Sequence, residues 1–436
     1  MFLQPGITSW NSQEWKLFKA DWNPHLTMGG ERVKVLIVEE ALKGLHGHWF
    51  QYIGDICDGG KEAGHEIEVA VHKDASPEIL TRFFCHPILG ESVFGAEIKG
   101  GGLSGLCRMF RRNISLFLEL RAHFKEGHHY DAVIATTPRI DHIYAHLLLN
   151  SIWAGKAYKQ LILIFVESVG VYSQDFSSVH FGKKSLPLKW GMKLSCFLPG
   201  SKRIELATES EGLARQFRAF CGVTFAQVPH VTRWIESEND PVHRNGSKLI
   251  LGTFGFTRYD KGVDVLQTAL RRLQDVEQPE DTQFVIQWTG DFTLPDGTLV
   301  KRDPELEKRS DVIYLEPFTQ PREFPDWLAK TDVMILPYRR HFYYDKLSRV
   351  AIDAAEAGIP MIYPQGTWLE EFVADYGAGV SFVPEDADSL SCAVTEIVKN
   401  HAQFKEAAVA RAELAREHFS AKHFFEIIGG LPGMRK

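Results

Sequence analysis

The chain has 436 residues and a formal net charge of −7, with 44% hydrophobic and 24% charged residues. At roughly 150 residues per domain that length accommodates two or three domains, and the apolar content excludes disordered, collagen-like and disulfide-scaffold classes. The acidic balance is the reverse of a general nucleic-acid binder, so no nucleic acid is expected among its partners. The six cysteines (Cys57, Cys85, Cys107, Cys196, Cys221, Cys392) are scattered, without C-x-x-C or a nearby Cys/His quartet, which speaks against a zinc site and fits a reducing compartment. Residues 1–18 lack a basic stretch ahead of an apolar core, and no run of 18 apolar residues occurs, so a cytoplasmic location is expected.

A polar, Trp-bearing lead (1–31) precedes the first strand signal, VKVLIV at 33–38. A Gly-containing loop (39–47), a predicted helix over 48–63 and a strand at 65–71 complete a βαβ unit, which implies a parallel sheet. Strands follow at 132–135, 161–166 and 204–207, with helices over 141–153 and 211–220, the latter capped by Thr208 or Ser210. Residues 229–248 are polar, carry two prolines and an Asn-Gly, and read as a linker. The alternation then restarts, with strands at 249–253, 283–288, 312–315, 333–336 and 361–363 and helices over 261–273, 321–330, 347–357 and 388–399. One architecture appears twice. The expected fold is α/β, two doubly wound Rossmann-like domains facing a cleft, at 1–230 and 247–415 with a linker at 231–246.

The sharpest chemical feature is LILGTFGFTRYDKGVDVLQ at 249–267. A buried strand ends in a Gly-containing loop with Arg258 and Lys261, and a helix starts at Gly262. Ligands of open α/β sheets bind beyond the carboxyl ends of strands, and amides at a helix start attract anions. Two cations there suit a diphosphate, the alternative being a loop whose Arg and Lys are solvated. The second feature is VMILPYRRHFYYDKLSRVAIDAAEAGIP at 333–360. Asp345 and Asp353 are eight residues apart, just over two turns, and are expected on a similar helical side. Asp345 can meet a sugar or cap the helix, Asp353 can accept from a ribose diol, and the amides of Ser348 and Arg349 can hold a phosphate; the alternative is an N-capping Asp followed by a solvated one.

Together these segments resemble the carboxyl-terminal domain of the retaining glycosyltransferases of family 4, which have the GT-B fold. GFTRYDKGVDVL stands where that family has a glycine loop leading into K-G-x-x-x-L, and DKLSRVAIDAAEAGIP where it has E-x7-E before x-A-x-x-G-x-P. FVIQWTG (284–290), VIYLEPF (312–318), DVMILPY (332–338) and PEDADSLSCAV (384–394) follow the family's order, so the likeness is firm over about 249–400 and thinner over 33–230. FSAKHFFEIIGG (419–430) resembles the closing segment, which implies that the tail 416–436 returns to the N-terminal domain. The resemblance implies a nucleotide-diphosphate sugar as donor, Arg258 and Lys261 on its diphosphate, Asp353 on the ribose, Asp345 on the donor sugar, and Ser348 and Arg349 on the phosphates. Gly255 belongs to the donor loop, Pro317 and Phe318 border the base, and Gly44 and Gly47 let the backbone approach the diphosphate, with His46 and His48 nearby. It further implies front-face attack with retention, no protein nucleophile, no cofactor and no metal. The departures are Asp at both acidic positions, each about 1.5 Å shorter in reach than Glu, and Glu167 where many members have a His touching the donor sugar.

Other signals are weaker. Gly100, Gly102 and Gly105 match G-x-G-x-x-G without a preceding strand and read as a loop; Asp386 and Asp388 match D-x-D but sit where a helix cap is expected. His128, His129, His142 and His146 suggest no metal geometry and read as surface or packing residues. Residues 107–125 and 183–203 are basic with interleaved Phe, Leu and Trp, and can either lie on an anionic membrane surface that presents a lipid-linked acceptor or be an amphipathic helix and a solvated loop. The expected function is transfer of a sugar to a saccharide, lipid-linked or small-molecule acceptor, in polysaccharide or glycoconjugate synthesis, at the inner face of a membrane if those stretches bind one. A nucleotide-sugar epimerase or hydrolase of the same fold, and a degenerate nucleotide-sugar-binding scaffold, are the alternatives.

Overall fold

Strands buried on both faces read as unbroken apolar runs, and such runs build both sheets of the protein. In the computed structural model, which describes residues 32–45, 48–92, 103–234, 248–273, 282–320 and 322–431, the first half gives β1 (Lys34–Val38), β2 (Glu66–His72), β3 (Cys85–Leu89), β4 (Tyr130–Ala135), β5 (Tyr158–Phe165), β6 (Gly170–Tyr172), β7 (Val179–Phe181), β8 (Ile204–Thr208) and β9 (Ala226–Gln227). Strands β6 and β7 pair antiparallel as a separate hairpin. The others form one parallel sheet in the order β3-β2-β1-β4-β5-β8-β9.

The second half gives β10 (Leu249–Thr253), β11 (Thr282–Gln287), β12 (Phe292–Thr293), β13 (Leu299–Val300), β14 (Val312–Leu315), β15 (Val333–Ile335), β16 (Met361–Pro364) and β17 (Gly379–Phe382). Apart from the β12–β13 hairpin they form a parallel sheet in the order β14-β11-β10-β15-β16-β17. The expected fold, two Rossmann-like α/β domains, is the one observed. In each sheet the winding reverses beside the first strand, between β1 and β4 and between β10 and β15. Loops leaving those pairs part in opposite directions and open a crevice at the carboxyl ends.

Alternate residues of a strand face opposite layers, and β1 shows the consequence. Leu36 and Val38 join a core with Leu116, Leu120, Ile143 and Leu147, from helices Leu103–Lys125 and Ile140–Trp153. Val35 and Ile37 join the opposite core, with Ile53 and Ile56 of helix His48–Glu62 and with Phe424, Phe425 and Ile428 of the final helix, Ala421–Gly430. The chain's last helix therefore packs on its first sheet.

Several boundaries differ from expectation for local reasons. The helix expected from 261 starts at Val263, because Gly262 takes φ of 64° and breaks the turn before it. The helix expected over 347–357 is Arg349–Glu356, because the Ser348 hydroxyl accepts the Ala351 amide and caps it; Asp345 lies outside the helix, so the two acids do not share a helical side. Ser210 caps helix Glu211–Cys221, and Asp386 caps Ala387–Lys399. Strand β3 was not expected, since Pro87 interrupts its pattern; it lies at the sheet edge, where a missing N–H is tolerated. Gly105 lies in helix Leu103–Lys125, while Gly100 and Gly102 fall outside the described residues.

Candidate functional site

The donor loop after β10 is fixed from both sides. Gly255 donates its amide to Gln287 Oε1 at 2.8 Å, and the Thr257 and Thr289 hydroxyls share a 2.8 Å bond, lacing the loop to the end of β11. At the far end a Cβ on Gly262 would collide with the Pro337 carbonyl at the end of β15. Gly255, by contrast, has φ of 109° and nothing within 4 Å of where a Cβ would stand, so its backbone is open to a ligand. Arg339, which the sequence pattern did not single out, locks the assembly. It is buried, grips Asp264 through two nitrogens at 3.0 and 2.6 Å, reaches Glu385 at 3.1 Å and lies 4.0 Å above the Tyr259 ring.

Three cations gather there. Lys261 Nζ sits 3.8 Å from the Tyr338 ring centroid and 4.8 Å from that of Tyr343, a cage that orders the ammonium without neutralising it. Arg258 pairs with Asp260 at 2.9 Å and stays half exposed. Lys346 is the third, and it too was missed. Burial pushes its ammonium below the usual lysine range, and the nearby charges of Arg258 and Lys261 add to that, against Asp260 and Glu167. Mutual repulsion of this kind is relieved by an anion.

The acidic positions make different contacts from those expected. Asp345 is 5% exposed; its carboxylate accepts from the Tyr172 hydroxyl and from Gln216 Nε2 at 3.2 Å, both of the first domain. Ser210 Oγ also donates to the Asp345 carbonyl at 2.7 Å. Burial raises the Asp345 carboxyl above the ordinary aspartate range despite these bonds. Asp353 pairs with Arg349 at 2.8 Å, and the same guanidinium reaches Asp55 of helix His48–Glu62 at 2.8 Å. Arg349 thus presents a side chain that bridges domains, beyond the backbone amide expected of it. Glu356, one turn on, is pushed up to about 8 by burial and by Asp353, and accepts from the Thr232 hydroxyl.

The β6–β7 hairpin closes over this corner. Tyr172 and Phe176 pack 4.5 and 4.8 Å from the Tyr344 ring, and Arg340 lies 4.1 Å over Phe176. Across the crevice, Glu39 at the end of β1 is buried and accepts from the Thr136 and Thr137 hydroxyls at 2.6 and 3.0 Å. Burial raises its carboxyl as well.

The remaining candidates separate. Gly44 sits half-buried in the loop after β1 with open space around it. Gly47, His46 and the His48 side chain lie outside the described residues. Glu167 is exposed and paired with Arg139 at 2.6 Å. Pro317 lines a cavity of about 570 Å³ together with Trp288, Asp291, Lys301, Arg302 and Glu316. Phe318 instead packs toward the core, 6.3 Å from Phe254. The cavity adjoins the ends of β11 and β14, and its Trp288 closes a strand whose apolar run gave no hint of a binding role.

Residues 248–400 match the family model described as Glycosyl transferases group 1. No curated protein sequence matches the chain. Among solved structures, Anabaena HepE in complex with UDP and glucose superposes with a TM-score of 0.58 at 15% identity, covering 91% of this chain and 98% of that one. Sucrose-phosphate synthase from Thermosynechococcus elongatus gives 0.61 at 14% identity over 92% and 98%. The lipopolysaccharide outer core galactosyltransferase WaaB gives 0.55 at 14% identity over 91% and 98%. The chain has the GT-B fold, and fold and family match together support a glycosyltransferase enzyme.

Proposed function

We propose that the protein is a retaining glycosyltransferase that moves a sugar from a nucleotide-diphosphate donor, held mainly by the second domain, to an acceptor held by the first. The carrying observation is that Lys261 and Lys346, from the loops after β10 and β15, stand 4.8 and 6.0 Å from the same Tyr343 ring, with Arg258 on the donor loop that carries the open Gly255 backbone, just ahead of helix Arg349–Glu356 and at the point where the sheet order reverses. The cations and the Ser348 and Arg349 amides bind the diphosphate and stabilise the charge that grows on it as the glycosidic bond breaks. That charge needs no metal and no cofactor in this reading. The cavity beside Trp288 and Pro317 takes the base. Asp353 takes the ribose and Asp345 the donor sugar once their present partners yield, and the departing phosphate receives the acceptor's proton, so no protein nucleophile is used.

Thermal shift with uridine, guanosine and adenosine diphosphate sugars identifies the donor, starting with uridine because Anabaena HepE is solved with UDP. With that donor, Lys261→Ala lowers kcat/KM by about 100-fold or more, and NMR of the product shows the donor's anomeric configuration. Wild-type turnover in Lys261→Ala refutes the site, and an inverted anomer refutes retention. The capture of Asp345 by Tyr172 favours one second reading, a degenerate scaffold that binds nucleotide sugar without transferring it. Donor binding with neither transfer, epimerisation nor hydrolysis is its signature.

A lipid-linked acceptor is the class the first domain favours. Among the described residues no helix is long and apolar enough to cross a membrane. Yet Leu106, Phe110, Ile114 and Leu118 form an exposed stripe at every fourth position of helix Leu103–Lys125, and Leu186, Trp190, Leu194 and Phe197 form a second beside it. Between them helix Ile140–Trp153 exposes Leu148 and Ile152. Lys183, Lys184 and Arg111 flank these stripes, the pairing of apolar and basic groups that seats a helix at an anionic interface. Co-sedimentation with phosphatidylglycerol vesicles, lost in a Trp190→Ser, Phe197→Ser variant, tests it; equal recovery of both proteins refutes it.

A further inference from the structure

Away from the cleft, at the amino-terminal ends of the first sheet, three histidines from three elements meet. His86 is on β3, His123 near the end of helix Leu103–Lys125, and His128 in the turn before β4. One ligand nitrogen from each lies within 4.8 Å of the other two. The rings of His86 and His123 are 4.5 Å apart, those of His123 and His128 4.1 Å, and those of His86 and His128 5.2 Å. None of the motifs in the sequence joins these residues, and the cluster has no part in the donor site.

The hydrogen bonds around the rings settle which nitrogens are free. Glu68 is salt-bridged to Lys34 at 2.6 Å and is therefore an acceptor, so His86, 2.7 Å away through Nε2, donates to it. The Tyr130 hydroxyl spends its one proton on the same carboxylate at 2.7 Å; His123 Nε2, 2.8 Å from that oxygen, must donate in turn. Both neutral rings then carry their lone pair on Nδ1. This is the arrangement found behind metal-bound imidazoles, where the second nitrogen donates to a carboxylate or its relay and fixes tautomer and orientation. His128 completes the set: it is partly exposed and has Glu126 3.7 Å from its Nε2.

We propose that His86, His123 and His128 form a binding site for a borderline transition-metal dication, with Zn²⁺ as the ion to test, held by three imidazoles and solvent and oriented by Glu68 and Tyr130. Nitrogen ligands of a tetrahedral zinc stand about 3.4 Å apart at Zn–N distances near 2.0–2.1 Å. The cluster, at 4.8 Å or less, needs about 1.4 Å of closure; the partly exposed His128 ring, now stacked parallel on His123, turns out of that stack to aim its lone pair at the ion, while His86 and His123 draw together around it. Imidazole suits Zn²⁺, Cu²⁺ and Ni²⁺ and is a poor match for Mg²⁺ or Ca²⁺. The partial exposure of His86 and His128 gives the ion a route in from solvent. The site staples β2, β3 and β4 to a long helix, at the opposite end of the strands from the crevice, so its role is structural.

The test uses full-length protein stripped with a chelator. Titration with Zn²⁺ by calorimetry takes up one equivalent, and Co²⁺ in its place gives visible d–d absorption without the near-ultraviolet thiolate band that a cysteine site would add. His86→Ala and His128→Ala each weaken Zn²⁺ binding by about 100-fold or more, beyond the usual effect of an outer partner, while His129→Ala, adjacent but outside the cluster, leaves it unchanged. Matched melting temperatures in chelator show that the variants fold. Failure to take up the equivalent, a thiolate band, or unchanged affinity in either His86→Ala or His128→Ala overturns the proposal.

Discussion

At the residue scale, position in the fold changes what a side chain can do. Lys346 follows an acid in the motif and drew no attention in the sequence, yet its charge is felt by Arg258 and Lys261, and it shares the Tyr343 ring with Lys261. Replacing it with Ala removes one of three charges, so donor affinity falls about tenfold, between the loss from a neutral contact and from a charged one; calorimetry with the nucleoside diphosphate measures it. Glu356 makes a pH prediction. Its carboxyl is raised from 4.5 to about 8, so between those values the folded state keeps a proton that the unfolded chain has released. Stability therefore falls as pH rises through that window. Glu356→Gln keeps an acceptor for Thr232 but cannot ionise, and urea midpoints at pH 5 and pH 8 should draw together in the variant. The Arg258 and Lys261 pair was legible because loop, cations and helix start are contiguous in the chain. The partners of Asp345 were not legible, because Tyr172 is 173 residues away and only the assembled interface joins them.

At the element scale, the strands were legible wherever an apolar run was unbroken. The short hairpins β6–β7 and β12–β13 were not, since two or three residues carry no readable period. Those short elements border the candidate site. Tyr172→Phe removes the hydroxyl that holds Asp345 and leaves a buried carboxylate short of a partner, a cost of about 1–3 kcal/mol. The freed carboxylate should favour the sugar-bearing donor over the bare nucleoside diphosphate, so the ratio of the two affinities rises; an unchanged ratio separates Asp345 from the sugar. Gly262→Ala is harsher. The substitution meets both a left-handed backbone and the Pro337 carbonyl, so a loss of about 2 kcal/mol or more is expected in chemical denaturation.

At the scale of the whole molecule, the two-domain plan was readable from the repeated alternation, whereas the way the halves touch was not. Phe424 is fully buried against the first sheet although it comes from the chain's last helix. Phe424→Ala should cost about 3–5 kcal/mol, and if the final helix peels away, limited proteolysis will cut near residue 420 while the second domain stays intact. The return of that helix has a mechanical corollary. The chain passes between the domains twice, near residue 232 and near residue 419, and the Thr232 amide donates to the Phe419 carbonyl at 2.9 Å, so the two passages run side by side. Two tethers fixed together define an axle. They permit one domain to swing about the line they share and resist sliding or twisting across it. Motion is least at Thr232 and grows with distance from it, so the interdomain contacts that lie farthest from the axle are the ones a swing would break.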